Sequence, residues 1–225
     1  MNTHLAIQLA LRSKLLSLSV CTTGSVTLAA TTTGYSRTTG SFVTDGFAVG
    51  MEVLPAGFTA NLRATITSVL ALAITVNRTL TAEAAGAGRS LTVGLPGTRV
   101  WENAEPEDAA GAPASIVQGS PYFKEQYLPG PAARATLGSG GEFEWLPLYV
   151  PHIYVPSNGG ANAARKYTDA LLSHFKPETT MAVGTDTLRV KSKPAAPFSG
   201  QLLQGDPGFA VVPVTIPLEI RTLNT

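Results

Sequence analysis

The chain has 225 residues, enough for one or two domains at about 150 residues each. Its formal net charge is +1, so it lacks the strong basic excess that is typical of dedicated nucleic-acid-binding proteins. Hydrophobic residues make up 44% of the chain, which is enough to fill a core and excludes global disorder. The single cysteine, Cys21, excludes an internal disulfide framework and a cysteine-rich zinc site.

The N-terminal segment, residues 3–18, is predicted to be an amphipathic helix, because apolar residues recur in it at helical spacing. These residues are Ile7, Leu11, Leu15 and Leu18. Arg12 and Lys14 leave an apolar stretch too short for a secretory signal, and no run of 18 apolar residues occurs in the chain. We therefore expect neither export nor a membrane span.

Residues 21–97 differ in composition from the rest of the chain. They contain no lysine, are rich in threonine and glycine, and hold short β-type runs separated by turn signals. Within 63–69, small or apolar residues alternate with polar ones, which is typical of a half-buried strand. We expect this segment to form a small β-barrel or β-sandwich.

The C-terminal part, residues 98–225, combines predicted strands with one helix. The strands are predicted at 122–128, 143–155, 187–193 and 209–220. The helix follows residues 158–160 and ends at Lys176, because a residue before proline disfavours the helical conformation. In the last strand one face is apolar, at Val212, Val214, Ile216, Leu218 and Ile220. The segments 104–119 and 129–141 are predicted to be loops, the second being a long hairpin arm or mobile loop.

These elements predict an α+β fold. One mixed or antiparallel sheet carries two helices on a face, in the order α-β-β-α-β-β, and a small all-β domain is inserted after the first helix. The body then comprises residues 1–20 and 98–225. The inserted Thr/Gly-rich barrel or sandwich domain comprises residues 21–97.

The sequence contains few of the motifs that are typical of catalytic or ligand-binding sites. The nucleophile elbow, the phosphate-binding loop and the paired-histidine zinc motif are all absent from the sequence. His4, His152 and His174 lie far apart, without ligand-like spacing, and Cys21 has no adjacent base.

An acidic cluster at Glu102, Glu105, Glu107 and Asp108 is interpreted as a solvated loop. A basic strand face at Arg189, Lys191 and Lys193 is explained by strand alternation alone. We predict no catalytic residue, no cofactor, no metal site and no enzymatic activity.

Several short motifs resemble, in their order and spacing, the tail terminator proteins of long-tailed (siphovirus-type) bacteriophages. The resemblance covers residues 1–20 and 98–225. It includes the N-terminal helix, Val100-Trp101-Glu102-Asn103, Pro121-Tyr122-Phe123, Tyr127-Leu128-Pro129, His152-Ile153-Tyr154-Val155-Pro156, the Gly-rich helix entry at 158–160 and the strand at 211–217. Residues 39–53 resemble a small β module that is grafted onto several phage tail proteins. Most family members lack this module at this position, so the role of residues 21–97 stays open. We expect the module to lie on the outside of the ring that tail terminator subunits form.

The resemblance implies a structural protein of the virion. Tail terminators form homo-hexameric rings that cap the tail tube, end its polymerisation and provide the head-to-tail joining surface. The implied partners are other copies of this chain, the tail tube protein and the head-tail connector protein, with DNA passing through the lumen without sequence-specific binding. The implied location is the head-proximal end of the tail, after assembly in the host cytoplasm, with no membrane contact.

We predict that the arm at 129–145 contributes to contacts between subunits. It carries Arg134, Glu142, Glu144 and Trp145, which combine both charges with an aromatic anchor, the residue types favoured at interfaces. A surface loop is the competing interpretation.

Three other functions remain open. Another tail component, such as a tube or completion subunit, would differ from a terminator by extending into filaments. A surface-binding module would use the 21–97 segment, whose aromatic residues are only Tyr35, Phe42, Phe47 and Phe58. An enzyme would require catalytic residues from scattered positions.

Overall fold

The computed structural model describes residues 3–60, 62–102, 104–134, 142–157, 161–192, 195–204 and 207–223. Within these ranges the chain forms two 14-residue helices, α1 (Thr3–Leu16) and α2 (Ala161–His174). Neither of them is long and apolar enough to cross a membrane. The strands of the same ranges are β1 (Ser19–Thr22), β2 (Val26–Thr31), β3 (Gly34–Arg37), β4 (Glu52–Ala56), β5 (Ala64–Val69), β6 (Ala73–Val76), β7 (Glu83–Gly94), β8 (Thr98–Val100), β9 (Tyr122–Leu128), β10 (Ala132–Arg134), β11 (Glu142–Trp145), β12 (Leu148–Pro156), β13 (Thr180–Val183), β14 (Asp186–Val190), β15 (Phe198–Ser199), β16 (Leu203–Gln204), β17 (Phe209–Val211) and β18 (Val214–Leu223).

Strands β2 to β7 close into a six-stranded antiparallel barrel in the order β7-β2-β3-β6-β5-β4, and β4 returns to pair with β7. The long strand β7 makes this closure possible, because its first half pairs with β2 and its second half pairs with β4 and β1. At Gly34 the backbones of β3 and β6 come so close that a side chain would collide with the Ile74 carbonyl oxygen. The barrel interior is filled by buried side chains that include Leu28, Met51, Val53, Ile66 and Leu91.

The other sheet is organised around β18. Strands β11 and β12 pair with β18 along one edge, and β14 and β15 pair with it along the other. Beyond β12 the sheet continues through β9 to β8, and the β8–β9 pair is parallel. The apolar face predicted for the last strand is confirmed, since Val214, Ile216, Leu218 and Ile220 are each 0% exposed.

The predicted α+β fold, with one sheet covered by two helices on a face, is wrong. The chain is mostly β, with the closed six-stranded barrel and a second sheet that curls into a half-barrel. The prediction missed β1, β3, β8, β10, β13, β15 and β16, which have at most four residues each and are too short for a periodic signal. It also joined β11 to β12 across Leu146 and Pro147, which belong to neither strand.

The predicted helices are confirmed, and both end earlier than expected. Helix α1 ends at Leu16 and buries Ile7, Leu11 and Leu15 completely. Helix α2 ends at His174 and buries Tyr167 and Leu171.

The division into a body and an inserted domain at 21–97 stays a prediction. Two contacts join the barrel to α2. The Lys166 ammonium donates to the Gly46 carbonyl at 2.6 Å, and the Glu52 backbone N–H donates to the Tyr167 hydroxyl at 3.5 Å. The buried side chains of both sheets also belong to one continuous hydrophobic cluster.

Ile216→Asp is expected to unfold the protein. The side chain is 0% exposed in the central strand, so an unpaired carboxylate there costs more than about 4 kcal/mol. Thermal unfolding followed by circular dichroism measures the effect. Thr187→Asp, at an exposed position of β14, is the control and should melt within a few degrees of the parent chain. A cooperative melt of Ile216→Asp at the parent temperature would contradict the assignment of this face to the core.

Candidate functional site

The hairpin of β10 and β11 carries the four residues predicted to contact a neighbouring subunit. Arg134 pairs with Phe143 across the hairpin, and Glu142 pairs with Leu223 of β18. The side chains of Arg134 and Glu142, and all of residues 135–141 in the predicted arm, lie outside the described part of the chain. The backbones of the four predicted residues are therefore brought together beside the central strand.

Glu144 and Trp145 are half-buried at the base of this hairpin. The Trp145 ring packs edge-on against the His4 ring of α1, with 5.3 Å between ring centroids. The Glu144 carboxylate lies opposite Arg221 across the strand pair and 4.0 Å from the Lys191 ammonium. Both side chains thus have partners within the chain. Their role in contacts between subunits stays a prediction.

Next to Glu144, three cationic side chains converge on the carboxylate of Glu219. Arg189 donates to both oxygens of Glu219 at 3.2 and 3.1 Å, and Arg221 Nε lies 3.2 Å from one of them. The Lys191 ammonium is 3.9 Å away. The predicted basic face at Arg189 and Lys191 is therefore neutralised by carboxylates of neighbouring strands. Lys193, the third residue of that prediction, lies outside the described residues.

The pKa values of this cluster follow from its contacts. Burial alone would raise the pKa of Glu219, but the hydrogen bond and charge of Arg189 hold it below its ordinary value. The same hydrogen bond raises the pKa of Arg189. Both groups are therefore ionised at neutral pH.

A second polar contact, between Arg12 and Glu125, joins helix α1 to strand β9 of the half-barrel. The side chain of Glu125 in β9 is completely buried, and Arg12 of α1 donates to it from Nε at 2.8 Å and also from Nη2. The Tyr149 hydroxyl donates to the other oxygen at 3.3 Å, and the Glu102 backbone N–H donates to the same oxygen as Arg12 at 3.2 Å. The Arg12 guanidinium also lies 4.7 Å from the ring centroid of Trp101.

Sequence reasoning missed this contact, because Arg12 and Glu125 are 113 residues apart. One signal was available. Glu125 lies on the same face of β9 as the buried Phe123 and Tyr127, and a carboxylate at such a position requires a cationic partner.

The acidic segment predicted to be a solvated loop is exposed at Glu105 and Asp108, but its Glu102 and Glu107 are half-buried and hydrogen-bonded to other side chains. Glu102 accepts a hydrogen bond from Gln8 Nε2 of α1 at 2.7 Å, and Glu107 accepts one from Trp101 Nε1. Asp108 accepts backbone N–H groups of Ala110 and Ala112 at 2.8 and 2.9 Å, which lowers its pKa. These carboxylates organise the backbone, and no group of three or more His, Cys, Asp or Glu that could hold a metal ion occurs among the described residues.

The three histidines have separate structural environments. His4 Nδ1 lies 3.1 Å from the Tyr127 hydroxyl, and His174 Nε2 donates to the Lys14 carbonyl at 2.7 Å. His152 lines a cleft of about 550 Å³ with Trp101, Lys124 and other residues. Burial lowers the pKa of His152, so its imidazole is neutral at pH 7.

Cys21 lies half-buried in β1, where the barrel approaches α2. Burial raises the pKa of its thiol to about 12, with Lys166 acting in the opposite direction. The thiol is therefore protonated at neutral pH. A protonated thiol is a poor nucleophile.

The comparisons with known proteins concern mainly the half-barrel. Residues 98–217 match the model of a protein family described as phage tail terminator protein. The match covers more than half of the chain and runs from β8 into β18. No curated protein sequence matches the chain. A solved structure without a functional name matches 56% of this chain and 79% of its own length, with 18% sequence identity and a TM-score of 0.40, a likeness too low to carry an argument.

Arg12→Met is expected to lower the free energy of unfolding by about 3 kcal/mol, because it leaves the Glu125 carboxylate buried without a counter-charge. Adding Glu125→Gln should restore part of the loss, since a neutral amide tolerates burial better than a lone charge. Urea titration measures both variants. Arg165→Met, at an exposed position of α2, is the control and should change the value by less than about 0.5 kcal/mol. Additive losses in the double variant would show that the two side chains do not interact.

Proposed function

Because the chain belongs to the phage tail terminator family, we propose that it forms a ring that caps the tail tube, ends its polymerisation and provides the surface that joins tail to head. The family is structural rather than enzymatic, and its members are components of the phage tail. The observation that carries the proposal is the family match over residues 98–217, which contains the hairpin of β10 and β11 and the first four residues of β18.

A closed ring needs two different surfaces of each subunit that fit each other, so that every copy contacts two neighbours. The arm hairpin offers one such surface. Among the described residues, β10 is the last strand on its side of the sheet, so one edge of its backbone is open to pairing. The half-buried Trp145 lies at the base of the same hairpin. A neighbouring subunit that docks here would gain backbone hydrogen bonds and an aromatic anchor.

The ring has the tail tube protein on one side and the head-tail connector protein on the other, at the head-proximal end of the tail. DNA passes through its lumen without being read. A formal net charge of +1 supports this part of the proposal, because a strongly basic channel would hold the phosphate backbone electrostatically. The barrel lies on the outside of the ring, where it leaves the lumen open.

The first test is the mass and shape of the purified protein. Light scattering should detect a species of about 140 kDa, six times the chain mass of 23.4 kDa, and negative-stain images of that species should show rings. If only monomers form, purified tail tubes are added, and rings should then appear at tube ends. Long filaments of the pure protein would contradict termination and indicate a tube subunit. Monomers that leave tube ends bare would also contradict the proposal.

Trp145→Ala is expected to weaken ring closure by about 30-fold, the effect of losing one central aromatic anchor. Sedimentation velocity at several protein concentrations measures the ring fraction. His4→Ala is the matched control, because it removes the same ring contact within the chain and leaves the tryptophan in place. Equal ring fractions for Trp145→Ala and the parent chain would exclude this residue from the interface.

A further inference from the structure

Helix α1 is apolar around most of its circumference. Eight of its fourteen residues are leucine, isoleucine or alanine, whereas a helix that faces water on one side is usually polar there. Its buried side contains Ile7, Leu11 and Leu15. The opposite side carries three leucines within about 40° of one another, at about 100° per residue. They are Leu5, Leu9 and Leu16, and each is about half exposed. We call these three residues the leucine stripe.

A second exposed apolar surface lies in residues 198–204, a segment without a charged residue. Phe198 of β15, Leu202 and Leu203 of β16 are 51%, 44% and 50% exposed. Strand β16 ends the described sheet on the side opposite to β10. We call Phe198, Leu202 and Leu203 the apolar edge. An exposed apolar sheet edge of this kind is typical of a site of association with another chain.

The two apolar surfaces lie near opposite ends of the central strand β18. Phe198 pairs with Thr215 near the start of β18, and Trp145 pairs with Ile220 near its end. Five residues of an extended strand span about 17 Å. The Trp145 ring contacts the His4 ring at the start of α1. The leucine stripe therefore adjoins the hairpin of β10 and β11, whereas the apolar edge is a separate surface of the subunit.

We propose that the leucine stripe of one copy packs against the apolar edge of the next copy in a ring. The inference rests on the proposed function, because a ring closes only when each subunit carries two different surfaces that fit each other. The hairpin of β10 and β11 supplies part of the first surface, and the leucine stripe extends it. The apolar edge is the second. Burying the two against each other removes apolar area from water and leaves no charge without a partner.

The area and the surroundings of the leucine stripe favour a second copy of the chain as its partner. Three leucines are too few for a stable interface, which needs about 800 Å² on each partner. The contact of His4 with Trp145 makes the stripe continuous with the hairpin, so one neighbouring subunit can cover both. A lipid surface would favour free cations beside the stripe. The flanking positions are instead Ser13 and Arg12, whose guanidinium is held by Glu125.

Cysteine cross-linking of the full-length protein tests which surfaces meet. In a Cys21→Ser background, Leu9→Cys and Leu202→Cys place one thiol on each surface, both at exposed positions. A short bis-maleimide should then join the copies into a covalent ladder that ends at the closed ring. Each single-cysteine chain should remain monomeric in a denaturing gel, because in a head-to-tail contact neither residue faces its own copy. If the pure protein is monomeric, the reaction is run on tail tubes.

Charge substitutions measure the strength of the contact. Leu9→Glu and Leu202→Glu should each lower the association constant at least about tenfold, because the carboxylate loses water at an apolar contact without gaining a partner. Leu202→Lys in the Leu9→Glu background should recover part of the loss. Leu70→Glu is the matched control, since Leu70 is 65% exposed between β5 and β6 of the barrel, and it should associate like the parent chain. Sedimentation velocity measures all four variants.

Rings of parent strength from both Leu9→Glu and Leu202→Glu would overturn the docking proposal and leave the ring proposal intact. Covalent dimers of the Leu9→Cys chain alone would also overturn it, because they would show that α1 packs on α1. Binding of the parent chain to lipid vesicles that Leu9→Glu abolishes would assign the stripe to a lipid surface instead. Failure of the ring proposal is a different result, in which the parent chain stays monomeric and leaves tube ends bare, and the docking proposal then falls with it.

Discussion

The half-barrel depends on one strand that is hydrogen-bonded on both edges. Strand β18 pairs with β11 and β12 on one side and with β14 and β15 on the other, so it joins segments from residue 142 to residue 223. On one of its faces Val214, Ile216, Leu218 and Ile220 are buried, and the other face carries Glu219 and Arg221. The alternation of a single strand therefore places the core on one side of the sheet and the cluster of charged side chains around Glu219 on the other.

The segments that precede the family match are attached to the half-barrel by polar contacts as well as by apolar packing. Helix α1 uses Arg12 to neutralise the buried Glu125, and Gln8 bonds to Glu102. The barrel contacts α2 through Gly46 and Glu52. The contact of Arg12 with the buried Glu125 tolerates little displacement, because an unpaired carboxylate there would remain without water. It therefore restricts where helix α1 can lie on the half-barrel.

Charged residues are few in this chain, and many of them form ion pairs within it. Arg63 contacts Glu52, Arg89 contacts Glu83, and Arg37 contacts Asp45 in the barrel, while three cations share Glu219 on the half-barrel. A surface with internally balanced charge has little long-range attraction for a polyanion. This property follows from where each carboxylate lies rather than from net charge alone.

Local pattern determined the two helices, the strand at Tyr122–Leu128 and the apolar face of β18, because each depends on periodicity within one segment. The order of short motifs also determined the family. Tertiary structure decided the mostly β architecture, since strands as short as β15 and β16 form only against a neighbouring strand. It also decided the partners of Glu125 and Glu219. Such partners come from distant segments or from the pairing register, and no local pattern encodes which strands will lie side by side.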